Sequence, residues 1–194
     1  MRKTLIAVLL VTLFALPSCK SYYTIADETN PVPSMKHYKS IFIGWMPISE
    51  DGWEEYGYDN RDQWTTTISV MNRENLPHYA KEVFRRYTIH TATSRNSLPP
   101  ADAELYVRFD RVKFIKYTST ALQVFQTLGS ISEAGNDLLD SQITIIDMKT
   151  KKPIYTTHVG VNSQGSGYSD MSFEGRVGNS IYNTLLFLWE RLSK

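Results

Sequence analysis

The sequence predicts an α+β fold: a two-layer sandwich, with one mixed sheet of four or more strands and two main helices packed on it. Three observations predict it. Apolar residues alternate with period two in four stretches, near residues 39–48, 104–117, 141–147 and 154–161. Helical periodicity governs residues 60–87 and 173–192. The resulting order is strand, helix, three strands, helix. A right-handed crossover then lays the first helix on the sheet, and the last helix needs a broad apolar partner on that same face.

The chain opens with Met1-Arg2-Lys3, and no charge interrupts Leu5 to Leu16. That run is shorter than the roughly 20 apolar residues of a spanning helix, but suits the core of an export signal. It ends in Leu16-Pro17-Ser18-Cys19, which resembles the lipobox of bacterial lipoproteins. The resemblance implies cleavage before Cys19 and lipidation of that residue, which becomes the membrane anchor. Residues 1–18 are then the signal peptide. Residues 19–36 are the lipidated Cys with a short tether containing Pro31 and Pro33, and residues 37–194 form a single domain.

Cys19 is the sole cysteine, so the folded domain holds no disulfide and no thiolate site. The formal charge is +1, and without Arg2 and Lys3 there are 19 bases against 20 acids. Such a balance gives no electrostatic drive toward nucleic acid.

The first strand, Lys39 to Ile48, sets Ile41, Ile43 and Trp45 on one face and Phe42 on the other. Asn60-Arg61-Asp62-Gln63 has the form of a capping box. Trp64, Ile68 and Met71 follow at helical spacing, although the β-branched run Thr65 to Val70 favours a strand. Pro77 opens a second helical stretch to Tyr87, with Leu76, Ala80, Val83 and Phe84 on one face.

Glu104 to Tyr117 reads as a long strand that changes phase between Phe109 and Val112, which a β-bulge near Asp110-Arg111 reconciles. Ser141–Asp147 and Ile154–Val161 read as an antiparallel hairpin around a polar turn. Ser119 to Asn136 is ambiguous, with a short helix suggested by Leu122, Phe125 and Leu128.

In the last helix, Val177, Ile181, Tyr182, Leu185, Leu186, Leu188, Trp189 and Leu192 fill one half of the surface. Gly178 lies in that half, where the missing side chain allows close approach to a sheet, while Phe187 falls on the other half beside Arg176 and Arg191.

This succession of a lipobox, a tether, strand–helix–strands–helix and a Gly/Ser segment before a C-terminal helix resembles certain small envelope lipoproteins. Their domains are similar to the TolB amino-terminal domain and to the lipoprotein activator of penicillin-binding proteins. The resemblance is one of order and pattern and carries over no functional residue.

Searched for chemistry, the chain offers little. His37, His78, His90 and His158 show no ligand spacing, and the glycine-bearing run Gly160 to Gly167 lacks the elements of a phosphate loop. No catalytic, cofactor-binding or metal residue is nominated.

The loop between the first strand and first helix stands apart. Three of the four tryptophans lie between Trp45 and Trp64, with Tyr56 and Tyr58, and six acids face the single base Arg61. Aromatics at low entropic cost enrich binding surfaces, so Trp53, Tyr56 and Tyr58, with Phe187 on the helix, are the candidate partner-binding residues. The loop is otherwise a cover for the core, or a glycan-binding or weakly hydrolytic surface across residues 50–62. The expectation is a non-enzymatic envelope lipoprotein, anchored through Cys19 in the outer membrane and facing the periplasm, which binds or scaffolds a protein partner there.

Overall fold

Alternating apolar side chains on long extended segments fold here into one mixed six-stranded sheet with helices on one face, as expected. The structure, a computed structural model, describes residues 23–49, 60–115, 138–162 and 173–194. The strands are β1 (Tyr23–Glu28), β2 (Ser40–Ile43), β3 (Thr88–Thr91), β4 (Leu105–Ile115), β5 (Leu138–Asp147) and β6 (Lys152–Asn162). Their spatial order is β1-β6-β5-β4-β2-β3. β2 pairs in parallel with both β3 and β4, and β4, β5, β6 and β1 pair antiparallel in succession.

The bulge expected in β4 is present: its register against β5 shifts between Phe109 and Arg111. Leu105, Val107 and Phe109 before it, and Val112 and Phe114 after it, all enter the same core. The β5–β6 hairpin is also as expected, with each strand longer than its alternating part. Its turn places Lys151 at φ 57°, the left-handed region that a side chain occupies at some cost.

Two strands extend the expected set. The tether predicted over residues 19–36 gives way to β1, which pairs with the free side of β6. β3 occupies the opposite edge, beside β2. The first strand also stops early. β2 ends at Ile43, so Trp45 joins the small cluster of Phe42, Ala92, Ala103 and Tyr106 on the sheet's outer face. Met46 and Ile48 then turn into the main core.

The first helical stretch runs without a break. α1 (Arg61–Val70) leads through a π-helical turn, Met71–Asn75, into α2 (Leu76–Val83). Asn60 caps it, its side chain accepting from Gln63 N–H at 3.0 Å. The cap and the four-residue spacing of buried Trp64 and Ile68 outweigh the β-branched run between them. The wide turn meets Pro77 where the ladder must fail: Leu76 N–H donates five residues back to Met71 O, and Pro77 has no N–H to give.

Asn72 uses this irregularity. Fully buried, its Oδ1 accepts from Met46 N–H at 2.7 Å, and its Nδ2 donates to Met46 O at 3.3 Å and Ile68 O at 3.1 Å. It thus pairs the chain where β2 has ended, as a neighbouring strand would.

α3 (Phe173–Leu192) packs against α2 and on the sheet. Gly178 permits close approach to α2 rather than to the sheet: a Cβ there would lie 2.9 Å from Tyr79 Oη. Burial is not confined to one half of α3. Asn179, Ser180, Asn183 and Thr184 are buried together with the apolar residues, and Thr184 Oγ1 donates to Ser180 O at 2.7 Å. Trp189, by contrast, is only partly buried, edge-on to Phe84 and Tyr87.

A bulge in β1 sets the contact between sheet edge and helix. The register against β6 shifts between Ile25 and Asp27. After Tyr23 and Ile25 have faced the core, the shift turns Asp27 outward and Glu28 inward. Glu28 there accepts from Arg191 Nε at 2.8 Å, from Arg191 Nη2, and from Tyr155 Oη at 2.5 Å.

Two predictions follow from this packing. Asn72→Ala leaves the backbone of Met46 without its partners and should lower unfolding free energy by about 2–3 kcal/mol, read from chemical denaturation. The Glu28 carboxyl is held below its ordinary value of 4.5, chiefly by the Arg191 hydrogen bond. Its stabilisation is therefore complete above pH 4.5 and is lost as pH falls through the lowered value. Glu28→Gln should cost about 1–3 kcal/mol at neutral pH and flatten the loss of stability below pH 4.5; a parallel pH profile would show that Glu28 does not supply it.

Candidate functional site

The strand directions give the sheet two unlike ends. β2, β3 and β4 begin, and β5 turns into β6, at what is here termed the hairpin end. β1 begins at the opposite end, where Tyr23 pairs with Val161 near the close of β6. α3 finishes at the hairpin end, where Met35 N–H donates to Leu192 O at 2.8 Å.

A cleft of about 500 Å³ opens at the hairpin end, lined by His37, Tyr38, Asp102, Glu104, Asp147 and Lys149 among others. Three separate segments build it. Residues 36–39 lead into β2, residues 101–104 lead into β4, and residues 147–149 enter the hairpin turn.

Backbone groups and hydroxyls tie the three together. Lys39 N–H donates to Glu104 Oε2 at 2.5 Å, and Met148 N–H to Glu104 O at 2.8 Å. Ser40 Oγ donates to Asp102 O at 2.5 Å and accepts from Glu104 N–H at 3.0 Å. Tyr38 Oη donates to Asp147 Oδ2 at 2.8 Å. The other carboxylate oxygen of Asp147 accepts from Thr150 N–H at 2.7 Å and Thr150 Oγ1 at 3.0 Å, which fixes the hairpin turn. His90 Nε2 lies 3.2 Å from Asp102 Oδ2.

The electrostatics follow from these contacts. Thr150 N–H, and then Tyr38, hold the Asp147 carboxyl below its usual range, so it stays ionised. Burial, and then the Asp147 carboxylate, push the Tyr38 phenol up to about 12. Tyr38 is therefore a fixed donor rather than an acid–base group near neutrality. The cleft presents carboxylates beside Lys149, with polar atoms already held by the backbone. That arrangement suits recognition.

The outer face of the sheet carries a smaller concavity between Asp27, Asp110, Gln142, Thr144, Thr156 and His158. Thr144 Oγ1 there donates to Asp110 Oδ2 at 2.5 Å, and His158 Nε2 lies 2.7 Å from Asp140 Oδ1 on the neighbouring strand. Among the described residues no group of three or more His, Cys, Asp or Glu is placed to hold a metal ion, and no helix is long and apolar enough to cross a membrane.

Of the residues nominated from sequence, Cys19, Trp53, Tyr56 and Tyr58 lie outside the described residues, as does the ambiguous stretch 119–136. The flanks of the aromatic loop are described. Ile48 bridges to Val112 in the later half of β4, and Trp64 Nε1 donates to Ser49 O at 2.8 Å. Both flanks thus lie away from the hairpin end.

Phe187 is not a surface residue. It is 0% exposed, and Tyr23 covers it with ring centroids 4.7 Å apart. The strand that buries it, β1, lies in the segment whose sequence has the character of a tether, so helix periodicity alone leaves Phe187 on the outer half of α3. The cleft residues, in turn, carried no sequence signal: Tyr38, Glu104 and Asp147 sit at element boundaries far apart in the chain and meet only through the topology.

No family model matches the chain, and no curated protein matches it. Among solved structures, it is similar to a variant PelC dodecamer from Paraburkholderia phytofirmans, at 8% identity and a TM-score of 0.43, over 89% of this chain and 99% of that one. A second PelC dodecamer from the same organism gives 9% identity and a TM-score of 0.42 over the same shares. A Xanthomonas campestris protein described by family model DUF330 gives 5% identity and a TM-score of 0.37, over 82% and 90%.

Tyr38→Phe should lower stability by about 1 kcal/mol and let the Asp147 carboxyl titrate closer to its ordinary value, as followed by carboxyl-carbon NMR. An unmoved Asp147 titration would show that the Tyr38 hydrogen bond does not hold it.

Proposed function

We propose that this chain is a non-enzymatic, lipid-anchored envelope protein that faces the periplasm from the outer membrane and presents its hairpin end to a protein partner. The observation that carries the reading is the direction of β1. It starts at Tyr23, four residues past Cys19, and runs antiparallel to β6 from the end opposite the hairpin turn. Four residues reach at most about 14 Å. A lipid on Cys19 therefore holds the β1-start end against the membrane. The ten residues of β5 carry the hairpin turn about 30 Å beyond that end.

On this reading the cleft of Tyr38, Asp102, Glu104, Asp147 and Lys149 faces away from the bilayer. Polar groups held by backbone hydrogen bonds meet a partner with little rearrangement, which keeps the ordering cost of association low. The described residues that flank the aromatic segment, Ile48, Ser49 and Trp64, lie toward the other end, which on this reading is the membrane side of the domain.

Two measurements test this reading. Cys19→Ala should move the protein out of the membrane fraction; fractionation that still requires detergent overturns the anchor. In the parent protein, a photo-crosslinker at position 149 should capture a protein partner in intact cells, and one at position 53 should not. Capture from position 53 alone would move the partner surface to the aromatic loop.

A further inference from the structure

Beside the cleft, on the other side of Tyr38, lies a second cavity of about 370 Å³. Lys36, Tyr38, Arg86, Tyr87, Trp189 and Ser193 line it. We propose that this cavity binds an anionic sugar ring, a uronate or a sugar phosphate. The inference does not rest on the lipid anchor or on a protein partner.

Its walls are aromatic. Tyr87 and Trp189 stand nearly perpendicular, 6.1 Å between centroids, and Phe84 backs both from the core at 6.4 and 6.2 Å. Trp189 and Tyr87 are partly buried, so they are held by packing yet still offer ring surface to the cavity. The C–H face of a pyranose lies well on such a ring, and hydroxyls around its rim need polar neighbours. Ser193 lies in the lining.

Two cations line the same cavity. Neither Lys36 nor Arg86 takes part in an ion pair among the described residues. Two cations outside any ion pair among the described residues, in one cavity with two aromatic rings, favour a ligand with one anionic group and an apolar face. Arg86 can take a carboxylate or phosphate through two parallel hydrogen bonds, and Lys36 adds a second charge.

Size favours a small ring over a protein surface. The volume falls in the range of small-molecule pockets, about 300–1,000 Å³, and the aromatic lining with a few polar groups is the composition of such pockets. The cavity is also well braced. Tyr87 Oη donates to Met35 O at 3.3 Å, Met35 N–H donates to Leu192 O, and Ser34 Oγ donates to Lys194 O at 2.8 Å.

The test titrates full-length protein in detergent with oligogalacturonate, glucose 6-phosphate, a neutral gluco-oligosaccharide, inorganic phosphate and an acidic peptide, followed by tryptophan fluorescence and calorimetry. Saturable binding of the uronate or the sugar phosphate is expected, and which of them binds identifies the anion. Arg86→Gln and Lys36→Gln, both at exposed positions, should each weaken binding at least tenfold with an unchanged melting temperature. Trp189→Phe should abolish the fluorescence change and weaken binding while keeping an aromatic ring on Phe84.

Four results would overturn the proposal. Equal binding of the neutral oligosaccharide would remove the anion, and equal binding of inorganic phosphate would remove the sugar. Binding of the acidic peptide alone would make the cavity a protein anchor. Binding of either anionic sugar that survives both charge variants would place the site elsewhere.

Discussion

The contact between Glu28 and Arg191 joins the first described strand to the last helix, and much of the architecture depends on it. β1 is an edge strand of six residues with one neighbour, and such a strand has few hydrogen bonds of its own to hold it. Its bulge brings Glu28 to the core side, where Arg191 and Tyr155 both donate to it. The guanidinium is kept charged by its partner, and the Tyr155 phenol is kept protonated by burial and by the same carboxylate. The Glu28 side chain is 14% exposed, so the pair is shielded from water more than a surface ion pair is. Removing either partner would leave an ion with poor solvation, which is why such a pair holds geometry firmly even where its net contribution is modest.

What the sequence made legible follows from burial. β4, β5 and β6 lie in the interior of the sheet, and their core faces repeat every second residue, so the strands, the hairpin and even the β4 bulge could be read from alternation. The edge strands could not. β1 alternates over only three residues before its bulge, and the four residues of β3 are half-buried or exposed. Without β1, the sequence offers no partner for Phe187, which Tyr23 in fact buries. The burial of α3 also exceeds what its periodicity shows. A helix with a sheet on one side buries one half of its surface. This one also meets α2 through Gly178 and β1 through Phe187, and so buries polar residues as well.

The candidate site was less legible than the fold for a different reason. The short catalytic and metal motifs that a sequence can display are those whose residues share one helix or loop. The cleft draws one short segment from before β2, one from before β4 and one from the end of β5. These converge because β2 and β4 are parallel neighbours and β5 returns antiparallel beside β4. No spacing in the sequence encodes that convergence. Single residues there looked ordinary: Tyr38 stands just before a strand, Asp147 just before a turn, and Trp189 on an apolar helix face.

The Glu28 contact and the hairpin end are connected through the last turn of α3. Arg191 lies two residues beyond Trp189, and Leu192 accepts from Met35 N–H one residue further on. The segment between β1 and β2 therefore starts at the Glu28 contact, passes Ser34 and Met35 against the end of α3, and delivers Lys36 and Tyr38 to the two concavities. Fixing Arg191 fixes the turn that carries Trp189, and fixing Met35 on Leu192 fixes the side chains that follow it. The two concavities are thus supported from two directions, by the hairpin through Asp147 and Thr150, and by the β1–α3 contact through residues 34–38. Both supports consist of hydrogen bonds to backbone or to a carboxylate, Glu28 on one side and Asp147 on the other, so the cavity walls are held by the fold itself.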